Sequence, residues 1–157
     1  METENIRLLL VTTGNNEVRS YLQKYYPNIA VADCEHMDKH SVIKTIKILS
    51  YDLLITYRCP YILPLSCFEN YELGGYNIHP TLLPKYPGLN PWNAIFHNQE
   101  KEGGVTFHRL SEKVDGGNII MQRMFRILST DTIESARKKA DKLAAQLMSS
   151  FFEKIEI

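Results

Sequence analysis

Short apolar runs alternate with helix-like segments along the first half of this chain, and this alternation constrains the fold most. Residues 6–12 and 52–57 are nearly continuous apolar runs, which are typical of strands buried on both faces. Apolar residues recur at helical spacing across 18–25 and 41–49. The pattern predicts an α/β fold with a doubly wound, mostly parallel sheet flanked by helices. At 157 residues, we expect one domain over 1–157.

Further along the chain, the elements become shorter until the last helix. We expect strands at 29–32 and 76–79, a helix at 92–98, and strands at 105–110 and 119–127 joined through the turn Asp115-Gly116-Gly117. Asp131 or Thr132 should cap a final helix, with Glu134 placed for a capping box. Its apolar stripe (Leu143, Leu147, Phe151 and Phe152) fits a core face, and 152–157 is either a loose tail or a docking strand.

Composition excludes several classes of protein. Lys and Arg together equal Asp and Glu at 18 each, and without a basic run we expect no nucleic-acid partner. No apolar run approaches membrane-spanning length, and the start of the chain lacks the pattern of a secretory signal. Three cysteines without a CxxC pair argue against a disulfide framework. We therefore expect a cytoplasmic protein.

Two small constellations are weak candidates for sites. The turn at 13–16 lies between a strand and a helix, where it could bind an anion or simply cap the helix. Cys34, His36 and His40 could approach a metal if the two histidines shared a helical face, but no second Cys or His pair completes a ligand set. We therefore predict no metal site.

A denser constellation follows the strand at 76–79. Asn77 and His79 point to one side of that strand near its carboxyl end, which is where open α/β sheets bind ligands. The turn at 115–117 could bring Asp115 to the same crevice. These groups lack a nucleophile but suit direct acyl transfer to an amine. Asn77 and protonated His79 would stabilise the oxyanion, and Asp115 would either hold His79 in its charged form or accept the amine proton through a water.

Several separate motifs resemble the 10-formyltetrahydrofolate-dependent formyltransferases, which include enzymes that act on glycinamide ribonucleotide, methionyl-tRNA and amino sugars. They are NIHPTLLP at 77–84, YPG at 86–88, GVTFH at 104–108, VDGG at 114–117 and Gln122. The resemblance implies a shortened Rossmann-like fold, a catalytic trio of Asn77, His79 and Asp115, and 10-formyltetrahydrofolate as the formyl donor. It also implies folate contacts from two segments: Tyr61, Ile62 and Leu63 on one side, and Lys113, Val114 and Asp115 on the other.

The resemblance to each kind of formyltransferase differs in the segments that would bind the formyl acceptor. The turn at 13–16 matches the phosphate loop of the glycinamide ribonucleotide enzymes only in part, and the chain before 52–57 is too short to contain one strand-helix unit of those enzymes. The chain also ends where methionyl-tRNA enzymes continue into an RNA-binding domain. Gly88-Leu89-Asn90-Pro91 is closer to the sugar N-formyltransferases. We therefore expect a small-molecule amine acceptor, such as a nucleotide-linked amino sugar. A hydrolase and a non-catalytic folate-binding module remain alternatives, and the oligomeric state is left open, with a homodimer among the choices.

Overall fold

A computed structural model describes residues 6–155, which form a six-stranded sheet with helices on both faces. The strands are β1 (Leu8–Thr12), β2 (Ala30–Asp33), β3 (Leu53–Tyr57), β4 (Gly75–His79), β5 (Glu102–Arg109) and β6 (Ile119–Arg126). The helices are α1 (Glu17–Tyr25), α2 (Lys39–Ile48), α3 (Trp92–His97) and α4 (Ile133–Lys154), with a short 3-10 turn at Leu65–Cys67.

The strand order is β2-β1-β3-β4-β5-β6, which confirms the predicted fold class. The first four strands are parallel, whereas β5 and β6 each run antiparallel to the strand before them. The chain leaves β1 toward β2 and then returns to the other side of β1 as β3. Such a reversal opens a crevice at the carboxyl ends of the strands, which is the usual ligand position in this class of sheet.

Both faces of the sheet are covered, as its continuous apolar strands require. Successive side chains of a strand point to opposite faces. Leu8 and Leu10 therefore join a core with α1 and α4, while Leu9 and Val11 join a second core with α2. Burial of these alternating residues fixes the register of β1 between β2 and β3.

The final helix differs from its sequence prediction at both ends. Thr132 caps it, but the reciprocal bond of the capping box comes from Ser135, because that residue occupies the third helical position and Glu134 the second. The helix continues to Lys154, and Phe151 and Phe152 are buried against the sheet. A loose tail or strand beginning at residue 152 was therefore the wrong interpretation. Residues 156 and 157 lie outside the described part of the chain.

Two further sequence predictions concern cysteines and membranes. Cys34, Cys59 and Cys67 are free thiols, in agreement with the expectation of no disulfide framework. Between residues 6 and 155, no helix combines the length and the apolar character needed to cross a bilayer.

Candidate active site

The amide of Asn77 lies in β4 beside the crevice and has a fixed orientation. The hydroxyl of Thr56, on the neighbouring strand β3, donates a hydrogen bond of 2.7 Å to Asn77 Oδ1. Thr56 is buried, so its hydroxyl is held by the sheet rather than by solvent. This bond assigns the oxygen to the Thr56 side and directs the Nδ2 donor toward the other groups of the site.

His108 is the site residue that sequence analysis missed. The antiparallel register of β4 and β5 places it directly opposite Asn77, and it is only 2% exposed. Its Nδ1 donates to the carbonyl of Arg109 (2.8 Å), and its Nε2 lies 3.1 Å from Asn77 Nδ2. The two-residue alternation of β5 places His108 on the same face as Thr106. Only the pairing register with β4 shows that His108 lies beside Asn77.

Asp115 brings the other groups together, as the motif spacing predicted. Its Oδ1 lies 3.4 Å from Asn77 Nδ2 and 3.5 Å from His108 Nε2. Its Oδ2 lies 3.4 Å from His79 Nδ1 and accepts a 2.7 Å hydrogen bond from the backbone N–H of Gly88. One carboxylate thus lies within 3.5 Å of Asn77, His79 and His108.

The loop that carries Asp115 is held by a close backbone approach at Gly117. A Cβ at this glycine would lie 1.8 Å from the carbonyl oxygen of Arg109, so no other residue fits without moving the chain. The N–H of Arg109 also bonds Asn118 O across the base of the loop (2.9 Å). Asp115 itself has φ +52°, a left-handed conformation that asparagine and aspartate adopt more readily than most residues. These constraints aim its carboxylate at His79 and His108.

Each ring nitrogen of His79 faces an oxygen acceptor. Because a carbonyl oxygen only accepts, Nε2 carries the proton that bonds Tyr86 O at 2.7 Å, which leaves Nδ1 facing Asp115. Burial lowers the pKa of His79 below its ordinary value of 6.5, although Asp115 and the Tyr86 carbonyl act in the opposite direction. The expectation that Asp115 keeps His79 charged is therefore corrected: desolvation favours the neutral imidazole in the resting protein.

The pKa of Asp115, in contrast, falls below its ordinary value. Burial alone would raise it, but the neighbouring His108, the Gly88 N–H and the nearby His79 together outweigh that effect. Asp115 is thus a carboxylate at neutral pH. It faces the unprotonated Nδ1 of His79, and a proton placed between the two would be stabilised by the negative charge.

A second network, which connects buried Thr106 to the exposed Gln122, fixes the proline-containing segment that follows His79. Thr106 Oγ1 donates to Thr81 O (2.7 Å) and accepts from Leu83 N (3.1 Å) and from Gln122 Nε2 (2.8 Å). Gln122 Nε2 also bonds Leu83 O at 2.8 Å. These bonds give Gln122, a motif residue without an obvious role in the sequence, a structural function: they pin the loop that supplies the Tyr86 carbonyl and the Gly88 N–H.

The polar groups open into a cavity of about 600 Å³, and every predicted folate contact lines it. These residues are Tyr61, Ile62, Leu63, Lys113, Val114 and Asp115. Ile62, Leu89 and Val114 are 60%, 69% and 44% exposed, respectively. An apolar rim of this kind around a few fixed polar groups is typical of a pocket for a flat organic ligand.

The two weaker candidates turn out differently. The turn at 13–16 caps α1 through Asn16, whose side chain accepts from Arg19 N, so the capping alternative is supported. His36 precedes α2, which begins at Lys39, so His36 and His40 do not share a helical face as assumed. The ligand atoms that do converge within 4.8 Å belong to Asp33, Glu35 and His36, and Asp33 already pairs with Arg19.

Comparison with known proteins assigns the family from the sequence, and solved structures share the fold. Residues 5–151 match the family model described as formyl transferase. The methionyl-tRNA formyltransferase of Kosmotoga olearia is 35% identical over 127 residues, which are 81% of this chain and 41% of that protein. This chain therefore spans about two fifths of the length of the curated relatives it matches.

Two solved structures illustrate the shared fold. The phosphoribosylglycinamide formyltransferase of Streptococcus pneumoniae TIGR4 superposes with a TM-score of 0.79 at 17% identity, covering 97% of this chain and 99% of that one. An N-formyltransferase from Helicobacter canadensis, solved with folinic acid and dTDP-3-aminofucose, gives 0.78 at 22% identity, covering 96% and 64%. The Rossmann-like formyltransferase fold that the motifs implied is confirmed.

Proposed function

This chain belongs to the formyl transferase family, and on that premise we propose that it transfers a formyl group from 10-formyltetrahydrofolate to the amine of a small acceptor. The observation that carries this proposal is the convergence of Asn77, His79 and Asp115 on one cavity. An amide donor, a neutral imidazole and a carboxylate without a nucleophile suit direct attack by an amine rather than a covalent intermediate.

The donor would occupy the apolar part of the cavity. Tyr61, Ile62 and Leu63 form one wall and the 110–115 segment the other. Backbone groups of these segments would read the hydrogen-bonding edge of the pterin, while Ile62 and Val114 would cover its faces. The volume lies within the range that holds ligands of this size. Folinic acid in the Helicobacter canadensis structure supports a folate donor for a protein of this fold.

Asn77 would stabilise the oxyanion that forms as the amine attacks the formyl carbon. Because Thr56 fixes Asn77 Oδ1, the Nδ2 group is a donor beside the cavity, and the oxyanion would replace its long 3.4 Å contact with Asp115. A preorganised donor of this kind lowers the barrier because it needs no reorientation when charge develops. Attack forms the new C–N bond, and collapse of the intermediate breaks the bond between the formyl carbon and the folate nitrogen.

His79 and Asp115 would handle the proton. The attacking amine must lose a proton, and the folate nitrogen must gain one when it leaves. The neutral Nδ1 of His79 can accept the first, since the resulting imidazolium would be stabilised by Asp115 at 3.4 Å. The same proton then passes to the leaving nitrogen, directly or through a water. His79 acts here as a proton acceptor and donor rather than as a permanent cation.

A nucleotide-linked amino sugar is our preferred acceptor. Leu89 and Asn90, from the segment that resembles sugar N-formyltransferases, line the cavity. The Helicobacter canadensis protein, which has the same fold, was solved in complex with a nucleotide-linked amino sugar, dTDP-3-aminofucose. The names of the sequence relatives favour a second candidate, the amine of methionyl-tRNA. Release of formate to water, or folate binding without catalysis, are the remaining alternatives.

Formation of tetrahydrofolate from 10-formyltetrahydrofolate, with and without added amines, tests the proposal. The panel should contain nucleotide-linked amino sugars, glycinamide ribonucleotide and methionyl-tRNA. We expect turnover that depends on an amino sugar. Dependence on methionyl-tRNA would replace the acceptor but keep the reaction, whereas turnover without any amine would indicate a hydrolase. Folate binding without turnover on any of these acceptors would favour the binding module.

A further inference from the structure

A buried carboxylate from α4 lies behind one wall of the cavity, where α1 begins and β3 ends. Asp141 is 9% exposed. Its Oδ1 accepts a short hydrogen bond from the Tyr57 hydroxyl and lies 3.1 Å from Arg58 Nη2. Its Oδ2 accepts from the backbone N–H of Glu17 at 3.1 Å. Tyr57, Arg58 and Ala140, which precedes Asp141, line the cavity itself.

The groups around Asp141 have the composition of an anion-binding site. Glu17 is the first residue of α1, so its N–H belongs to the free donors and positive dipole at a helix start. The Arg58 guanidinium and the Tyr57 hydroxyl complete the set, and both donate hydrogen bonds to oxyanions. Burial and the carboxylate both raise the pKa of Tyr57, which keeps its hydroxyl a donor. In this protein, Asp141 is the anion that these donors hold.

Neighbouring donors are also satisfied from within the chain. The N–H of Gly14, in the turn before α1, donates to Asp33 Oδ1 (2.9 Å), and Arg19 N donates to Asn16. Donors in the turn and at the start of α1 are therefore bound by Asp33 and Asn16, at a helix start that could otherwise hold an anion.

We propose that Asp141 is a specificity-determining residue: a built-in anion that fills the site formed by Glu17 N–H, Tyr57 and Arg58 and so rejects acceptors that carry a phosphate at this wall. This inference rests on the proposed function and narrows its acceptor to amines that are not anchored here by a terminal phosphate. Rejection follows from charge as well as space, because a phosphate would have to approach a buried carboxylate and compete for its only guanidinium partner among the described contacts.

Thermal unfolding in inorganic phosphate, with chloride at matched ionic strength as the reference, tests this inference without folate or amine. We expect phosphate and chloride to act equally on the wild type. Asp141→Ala should melt at a lower temperature and regain stability with phosphate, by roughly 3–5 °C at ten times the dissociation constant. Asp141→Ala combined with Arg58→Ala should lose this response, while Lys142→Ala, an exposed neighbour on α4, should behave like the wild type.

Two outcomes would overturn the inference. One is a saturable, phosphate-specific stabilisation of the wild type that Arg58→Ala abolishes, which would mean that the site still accepts an external anion. The other is a folded Asp141→Ala protein without any phosphate response. Should Asp141→Ala not fold, Asp141→Ser takes its place, and the wild-type titration decides independently. Because the test measures melting temperature and not turnover, its outcome does not depend on whether the protein transfers formyl groups.

Discussion

Asn77 is the residue whose side chain the mechanism depends on most. If its Nδ2 group binds the oxyanion, Asn77→Ala should raise the barrier by about 3–4 kcal/mol, a loss of a hundredfold or more in turnover. The melting temperature should also fall by a few degrees, because the buried Thr56 hydroxyl loses its 2.7 Å acceptor, so the rates are compared at a temperature where both proteins are folded. Steady-state kinetics of wild type and variant measure the loss, with the exposed Asn93→Ala on α3 as the matched control. Nearly intact turnover in Asn77→Ala would remove the oxyanion role.

The pH dependence of turnover reports on His79. Because burial lowers its pKa below 6.5, the acid limb of the rate profile should lie below that value, with full activity at neutral pH where Nδ1 is free. Asp115→Asn removes the charge that raises the pKa of His79, so the limb should move to lower pH while the maximal rate falls. A rate that increases as the pH falls below 6.5 would instead favour a resident imidazolium.

The same pKa shifts have a consequence for stability. Below pH 6.5 the unfolded chain binds a proton at His79 more readily than the folded one, so acidification costs folding free energy through this residue. The lowered pKa of Asp115 acts in the same direction at still lower pH, because its stabilising contribution is lost as the carboxylate becomes protonated. We therefore expect the contacts of His79 and Asp115 to be among the first to lose their stabilising effect as the pH falls.

At the scale of elements, the loop between β5 and β6 positions the carboxylate. Gly117→Ala would place a Cβ 1.8 Å from Arg109 O, so the loop must move and carry Asp115 away from His79. A displacement near 1 Å at a reacting group can cost about 100-fold in rate. We expect a loss of that order by steady-state kinetics. Gly103→Ala is the comparison and should cost much less, since its Cβ meets the ring end of the Phe125 side chain and Gly103 does not line the cavity. Equal losses would contradict this account.

The sequence predicted the elements better than it predicted their contacts. Buried parallel strands are visible as apolar runs, because burial on both faces leaves no exposed position in β1 or β3. The partnership of Asn77 with His108 could not be seen, because it depends on the register between two strands that are distant in sequence. The sequence rule for helix capping was also wrong by one position, because the capping box uses Ser135 rather than Glu134.

Charge states were the least predictable part of the site. The motif placed His79 beside Asp115 correctly, and from that pair alone a charged imidazole was a reasonable expectation. The opposing influence is burial, which is set by the surrounding loops and by β5 rather than by any local sequence pattern. The Asp141 cluster was missed for a similar reason, since its donors come from α1, β3 and the residue after β3.

For the whole molecule, the folate pocket should respond to its ligand. Folinic acid at 100 times its dissociation constant should raise the melting temperature by about 5–10 °C. Ile62→Asp, at the cavity rim, should reduce this shift because it puts a charge against the ligand. Ile48→Asp is the control, since Ile48 is 67% exposed on α2 and does not line the cavity. If both variants lose the shift equally, the ligand does not occupy this cavity.

The fate of the formyl carbon decides the central claim. The measurement uses 10-formyltetrahydrofolate labelled with ¹³C in the formyl group and follows the label by NMR, with and without the amine panel. The proposed reaction predicts that the label moves into an N-formyl product, only when an amine is present, and that Asn77→Ala slows this transfer a hundredfold or more. Label that appears as formate at the same rate with or without amine, or label that stays on a bound folate with every acceptor, would contradict formyl transfer by this protein.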